Sequence, residues 1–148
     1  MSLEPRPATT RDAAPIAALD ARLNPSPWSA DAVRETLARA GGIVIASPDG
    51  GLAGFVLFAA VADECEILDI AVDPAVQRQG LGARLLDAAL AAAMAAGARR
   101  CFLEVRDSNS GAQDFYRARG FVEDGRRKGY YRSGQGREDA LLMSRALP

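Results

Sequence analysis

Ile70-Ala71-Val72-Asp73-Pro74-Ala75-Val76-Gln77-Arg78-Gln79-Gly80-Leu81-Gly82-Ala83 carries an apolar strand through a short loop into the start of a helix. From about Gly80 to Ala96 that helix keeps Leu81, Leu85, Leu86, Ala89, Leu90, Ala93 and Met94 on one face, the period of a helix packed on a core. Gly97 is placed to end it. A strand that feeds a glycine-bearing turn at a helix N-terminus aims several backbone N–H groups at one point. That geometry attracts a phosphate. No Lys-Ser/Thr pair follows, so this is not the loop that cradles a nucleoside triphosphate. Gly80-Leu81-Gly82-Ala83-Arg84-Leu85 also lacks the third glycine of the dinucleotide fingerprint. Glycines at a helix start also relieve crowding with no ligand involved. The strand–loop–helix setting favours a polyphosphate-bearing ligand, and so a transferase over a scaffold.

The flanking segments supply the fold around this junction. Thr10 reads as the N-cap of a helix carrying Ile16, Leu19 and Leu23, and Asn24-Pro25-Ser26-Pro27 breaks it. Ser29 caps a second helix to about Arg39, with Trp28 and Val33 spaced as a hydrophobic staple. Gly41-Gly42 closes that helix. Residues 43–47 and 51–62 read as strands joined by the turn Ser47-Pro48-Asp49-Gly50. Asp63-Glu64 turns the chain into a third strand, Cys65 to Val72. Beyond the long helix, Arg99 to Val105 is a strand. Ser108 or Asn109 then caps a short helix to Arg119, which Gly120 ends. Phe121 to Tyr131 looks extended but irregular, Ser133-Gly134-Gln135-Gly136 turns, and Glu138 to Arg145 is a final strand. Residues 3–8 offer a poor edge strand, because Pro5 and Pro7 cannot donate hydrogen bonds. The order ααβββαβαββ predicts a mixed α/β fold, a largely antiparallel sheet with helices on both faces.

The 148 residues suit one domain, 1–148, and 49% apolar with 25% charged composition excludes a disordered chain. No apolar run spans a bilayer and the start lacks a signal-peptide core, so no membrane association is expected. Cys65 and Cys101 form neither metal-ligand spacing nor a disulfide framework, and read as buried reduced thiols in a cytoplasmic protein without a metal. Residues 1–73 hold 5 Arg against 11 Asp/Glu, and residues 74–148 hold 12 Arg and 1 Lys against 8 Asp/Glu. Ordinary solvated surface accounts for such a split. It equally suits a polyanion on the second half and a cationic acceptor on the first. A net charge of −1 weighs against nucleic-acid binding. With no histidine in the chain, a general base must be a carboxylate, a water relay, Tyr, Cys or Lys.

The junction resembles the acetyl-CoA loop of the GCN5-related N-acetyltransferases (GNAT). Leu103-Glu104-Val105-Arg106-Asp107-Ser108-Asn109, with Ala112, Phe115-Tyr116 and Gly120-Phe121, is similar to the second half of that fold. Three segments resemble more narrowly the branch that acetylates the N-terminal alanine of the eighteenth small-subunit ribosomal protein. They are Pro27-Trp28-Ser29, Ile70 to Pro74, and Tyr130-Tyr131 followed by Gly136-Arg137-Glu138-Asp139-Ala140. The resemblance covers about Ala8 to Arg145. It implies acetyl-CoA as cosubstrate. The backbone of Ile70, Ala71 and Val72 would line the pantetheine arm and acetyl group. Arg78, Gln79, Gly80, Leu81, Gly82 and Ala83 would cradle the pyrophosphate, and Asn109 would contact the pantetheine. Glu104 would be general base and Tyr116 general acid. The partner implied is a protein with a free N-terminus, a ribosomal protein, met by a monomer or weak dimer.

These residue types suit the reaction on chemical grounds as well. Amine attack on a thioester needs a neutral amine, a polarised carbonyl and a proton for the leaving thiolate. Glu104 ends a strand beside the cofactor strand. An α-amino group is already about 10% neutral at pH 7, so a modest base suits it better than a lysine. A strand-end ion pair to Arg106 or Arg100 is the alternative use of Glu104. Tyr116 lies about two helical turns after Asn109, and a phenol stays protonated near neutrality. Its alternative use is as an aromatic anchor, and that of Asn109 is as a helix N-cap. Trp28 and Tyr131 are candidate walls for the acceptor peptide. Tyr130 and Tyr131 alternate faces, so at most one lines the site. Asp69 and Glu66 could attract a cationic amine, or simply face solvent. No cysteine or serine shows an activating base, which favours direct transfer. A lysine or small-amine acceptor, and a CoA-binding module without turnover, are the competing readings.

Overall fold

Val44, Phe55 and Leu57 face one side of a central sheet, and Ile45, Val56 and Phe58 face the other. This period-2 alternation with both sides apolar requires a helical layer on each face. The computed structural model describes residues 3–76, 79–134 and 136–148. It contains α1 (Ala13–Leu23), α2 (Ala30–Arg39), α3 (Leu81–Ala95) and α4 (Ser110–Ala118). The strands are β1 (Pro5–Pro7), β2 (Gly41–Ala46), β3 (Leu52–Val61), β4 (Glu64–Val72), β5 (Arg100–Arg106), β6 (Val122–Ser133) and β7 (Gly136–Ala146). The sheet order is β1-β2-β3-β4-β5-β7-β6. Helices α1 and α2 pack with Val44, Phe55 and Leu57. Helix α3 and the aromatic residues of α4 pack on the opposite face. The mixed α/β architecture expected from the element order is therefore observed, and the β4–β5 pairing is its parallel step.

Two features of β4 create the site. Asp69 pairs with Leu57 and Ile67 with Phe58, so Leu68 is an extra residue, a β-bulge. The bulge turns Leu68 and Asp69 to the α1–α2 side in succession. The ladder to β5 also holds only from Glu64 with Arg100 to Glu66 with Phe102. Beyond that rung β4 and β5 separate, and the sheet opens.

Several element boundaries differ from those read in the sequence, each for a local reason. Thr9, not Thr10, starts the first helical turn: its N–H donates to Asp12 Oδ2 at 2.8 Å. Gly41 and Gly42 do not close α2 but open β2, where Gly41 faces Phe58 and Gly42 faces Leu57 across the ladder. A Cβ at Gly41 would meet the Phe58 ring at 2.9 Å, so the Phe58 side chain lying across β2 favours glycine there. Residues 122–133 form a continuous strand with two bulges, paired on β7. Pro5–Pro7 pairs with β2 at the sheet edge, where a missing N–H is tolerated. Ser29 caps α2, accepting from Ala32 N–H at 3.1 Å, as expected. Of the two candidate caps for α4, Asn109 is the one used, accepting from Ala112 N–H at 3.0 Å.

Candidate active site

The gap between β4 and β5 widens into a cleft of about 850 Å³. Helix α3 points its N-terminus at one end. Its start, Gly80, has φ of +72° and offers no side-chain cap. The first bond inside the helix runs from Arg84 N–H to Gly80 O at 3.1 Å, so the N–H groups of Leu81 to Ala83 have no intrahelical partner. Orphan donors at the positive end of a 15-residue helix suit a pyrophosphate. Gly82 faces Phe115 of α4: a Cβ there would lie in van der Waals contact with its ring, at 3.5 Å.

Most residues singled out in the sequence meet in this cleft. Ile70, Ala71, Val72, Gly80, Leu81, Gly82, Ala83 and Asn109 line its α3 side and β4 edge, and Trp28, Glu104, Tyr116 and Tyr131 line the rest. Gln79 is exposed on the turn and is not part of the lining. Arg78 lies outside the described residues.

Glu104 and Tyr116 approach the opening from different faces. Leu103 and Val105 are buried against α3, so the alternation of β5 turns Glu104 to the α1–α2 side. Its Oε1 lies 3.6 Å from Arg127 of β6, and neither Arg106 nor Arg100 is its partner in an ion pair. Tyr116 is 6% exposed and comes from the other face. Its ring packs edge-on to Phe115 at 5.3 Å and Phe121 at 5.6 Å. Burial pushes its hydroxyl well above the ordinary phenol range, and the Asp69 carboxyl nearby adds to the shift. The phenol therefore keeps its proton at neutral pH. Anchoring and a position at the cleft coincide in this residue.

The α1–α2 side of the cleft is walled by Trp28 and Tyr131, and one arginine ties the wall together. Arg106 Nη1 donates to Glu138 Oε1 at 2.7 Å and to Arg132 O at 3.1 Å. Its Nη2 donates to Ser26 Oγ at 3.2 Å, reaching the α1–α2 connection, and its Cζ lies 4.3 Å from the Tyr131 ring centroid. Glu138 Oε2 also accepts from Ser108 N–H at 3.0 Å, and hydrogen bonding from the Ser108 side chain first and Arg106 second holds its carboxyl below the usual carboxylate range. Tyr130 points away and is 47% exposed. Arg106, Arg127 and Glu138 were not singled out for roles in the cleft by sequence reasoning. The signal was there for Arg106, one pleat repeat after Glu104 on the same face.

The sequence pattern of the Acetyltransferase (GNAT) family matches residues 13–121. The chain belongs to the GNAT acetyltransferase family. Within it, the [ribosomal protein bS18]-alanine N-acetyltransferase of Escherichia coli K12 is 43% identical over 100 residues, 68% of this chain and just under two thirds (66%) of that protein. A putative enzyme of the same description from Bacillus subtilis is 37% identical over 120 residues, 80% of this chain and 78% of its own length. The crystal structure of the ribosomal-protein-S18-alanine N-acetyltransferase from Escherichia coli superposes with a TM-score of 0.84 at 33% identity, covering 96% of this chain and 92% of that one. GNAT enzymes use acetyl-CoA, and the orphan N–H groups of α3 and the open β4 edge fit its pyrophosphate and pantetheine. Among the described residues, no helix is long and apolar enough to cross a membrane. Among the described residues, no group of three or more His, Cys, Asp or Glu could hold a metal ion.

Proposed function

We propose that this chain transfers the acetyl group of acetyl-CoA directly to the α-amino group of an N-terminal alanine, with ribosomal protein bS18 as acceptor. The observation that carries the reading is the wall built around Arg106. Tyr131 and Glu138 belong to the tail whose sequence resembles the ribosomal-protein branch, and they join Arg106 at the cleft. The relatives that bear this name share the reading. One domain acting in the cytoplasm suffices for it.

Acetyl-CoA supplies a thioester whose carbonyl carbon gains a bond to the amine nitrogen and loses its bond to sulfur. The N–H groups at Leu81 to Ala83 hold the pyrophosphate, with Gln79 in the same turn. The β4 backbone at Ile70, Ala71 and Val72 orients the pantetheine arm and acetyl group, and Asn109 contacts the arm. Glu104 accepts the proton that the amine loses, directly or through one water. Tyr116 gives its hydroxyl proton to the departing sulfur. An α-amine with pKa near 8 asks little of the base, whereas a lysine near 10.4 would need a stronger one. Trp28 and Tyr131 flank the acceptor's first residue.

The test is CoA release with acetyl-CoA and a panel of peptides that differ at the first residue, alongside a lysine peptide and a polyamine. Alanine-first peptides should give the largest kcat/KM. Release with the polyamine and none with alanine-first peptides would refute the acceptor assignment.

A further inference from the structure

Asp69 has no task in the chemistry above, yet it stands at the mouth of the opening. The β4 bulge aims it at α1, where it meets Asp20 and Asn24. Asp20 is 1% exposed. Its Oδ2 accepts from Trp28 N–H at 2.8 Å and its Oδ1 from Asn24 Nδ2 at 3.4 Å. Through these bonds Asp20 fixes the turn that carries Trp28 into α2. Asp69 Oδ2 is buried and accepts no hydrogen bond. An ionised oxygen in that setting would carry the full cost of lost hydration, and it would do so beside a second carboxylate.

We propose that Asp69 is a positioning residue for the acceptor wall: as an uncharged acid it donates its proton to Asp20 and so docks Trp28 and Asn24 onto β4. The inference rests on the acceptor reading above, because that wall is where the acceptor's first residue is placed. The groups around Asp69 agree with it. Asp20 approaches from α1 and Tyr116 from α4, Leu57 opposite on β3 is apolar, and Glu104 of β5 lines the same cleft. The described surroundings include no cation, and the Ile70 N–H and the Asn24 amide, which favour the carboxylate, are outweighed by burial and by Asp20. Burial first, and the hydrogen bond with Asp20 second, push the Asp69 carboxyl up to about 8. Above that pH two buried carboxylates face each other. Their repulsion loosens the α1–α2 turn, and the acceptor wall moves with it.

Trp28 is the single tryptophan, so its fluorescence reports this turn without turnover. The wild-type emission should shift on titration with a midpoint near pH 8, and Asp69→Asn, which keeps the donor and cannot ionise, should abolish the shift. In turnover, Asp69→Leu should raise the peptide KM about tenfold or more while the acetyl-CoA KM stays within about twofold. Asn at the same position should recover most of the peptide KM and remove its alkaline rise. A wild-type emission flat between about pH 6 and 9, or a shift that persists in Asp69→Asn, overturns the proposal. So does a peptide KM that Leu leaves unmoved. If no peptide is acetylated, the acceptor reading fails while the fluorescence titration still decides whether Asp69 controls the turn.

Discussion

Glu104 on β5 and Tyr116 on α4 look into one cleft from opposite faces of the sheet, through the gap where β4 and β5 part. In the roles we propose for them, a base and an acid on two sides of a thioester can move two protons in one passage. Glu104→Gln should lower kcat by about 100-fold and Tyr116→Phe by about 10-fold or more, with the acetyl-CoA dissociation constant nearly unchanged. Steady-state kinetics with calorimetric CoA binding checks this. An unchanged kcat in both variants would remove the roles assigned here.

A Cβ at Gly82 would already touch the Phe115 ring, at 3.5 Å, at the end of the cleft where we propose that the phosphates bind. Gly82→Val should weaken CoA binding by about tenfold or more without changing the peptide preference. Equilibrium binding of CoA reads the effect, and circular dichroism of the variant shows that the fold persists.

Cys65 and Cys101 face each other one rung before the strands separate, and both are buried. The hydrogen bond with Cys65 first, and burial second, keep Cys101 a thiol. Neither should react with an aromatic disulfide in the native protein, and both should react on global unfolding. Stopped reaction in urea, followed by thiol titration, measures it.

Asp69 also sets a pH dependence of stability. Its folded-state pKa is raised, to about 8, above the ordinary carboxylate value of about 4, so the folded chain holds one proton that the unfolded chain releases in between. Stability from this group is complete below about pH 4 and is lost as the pH rises through about 8. Asp69→Asn should therefore raise Tm by a few degrees at pH 8 and by progressively less toward pH 4. Scanning calorimetry across that range follows the difference.

Much of this could be read along the chain where neighbours in sequence are neighbours in space. The packed face of α3, the Ser29 cap and the glycine-bearing start of α3 are local, and each was legible. The boundary at Gly41-Gly42 was not, because a Phe58 ring from another strand decides it. β6 looked irregular because its two bulges interrupt the alternation that marks a strand. The wall around Arg106 was hidden because its contacts are distant in sequence: Arg106 and Ser26 are 80 positions apart, and their contact exists only once β5 and the α1–α2 turn are brought together. An ion pair along its own strand is only the alternative use of Glu104 in the sequence, and the neighbouring cationic side chain comes instead from β6. Pattern placed the residues of the cleft; contacts across the sheet gave them their partners.

The central claim is transfer to the α-nitrogen of an N-terminal alanine. The most direct measurement is fragment-ion mass spectrometry of a bS18 N-terminal peptide after incubation with acetyl-CoA and the enzyme, with an N-terminally blocked copy as control. The account predicts one acetyl group on the alanine nitrogen and none on the blocked peptide. Acetylation confined to a lysine side chain, equal in both peptides, would contradict it.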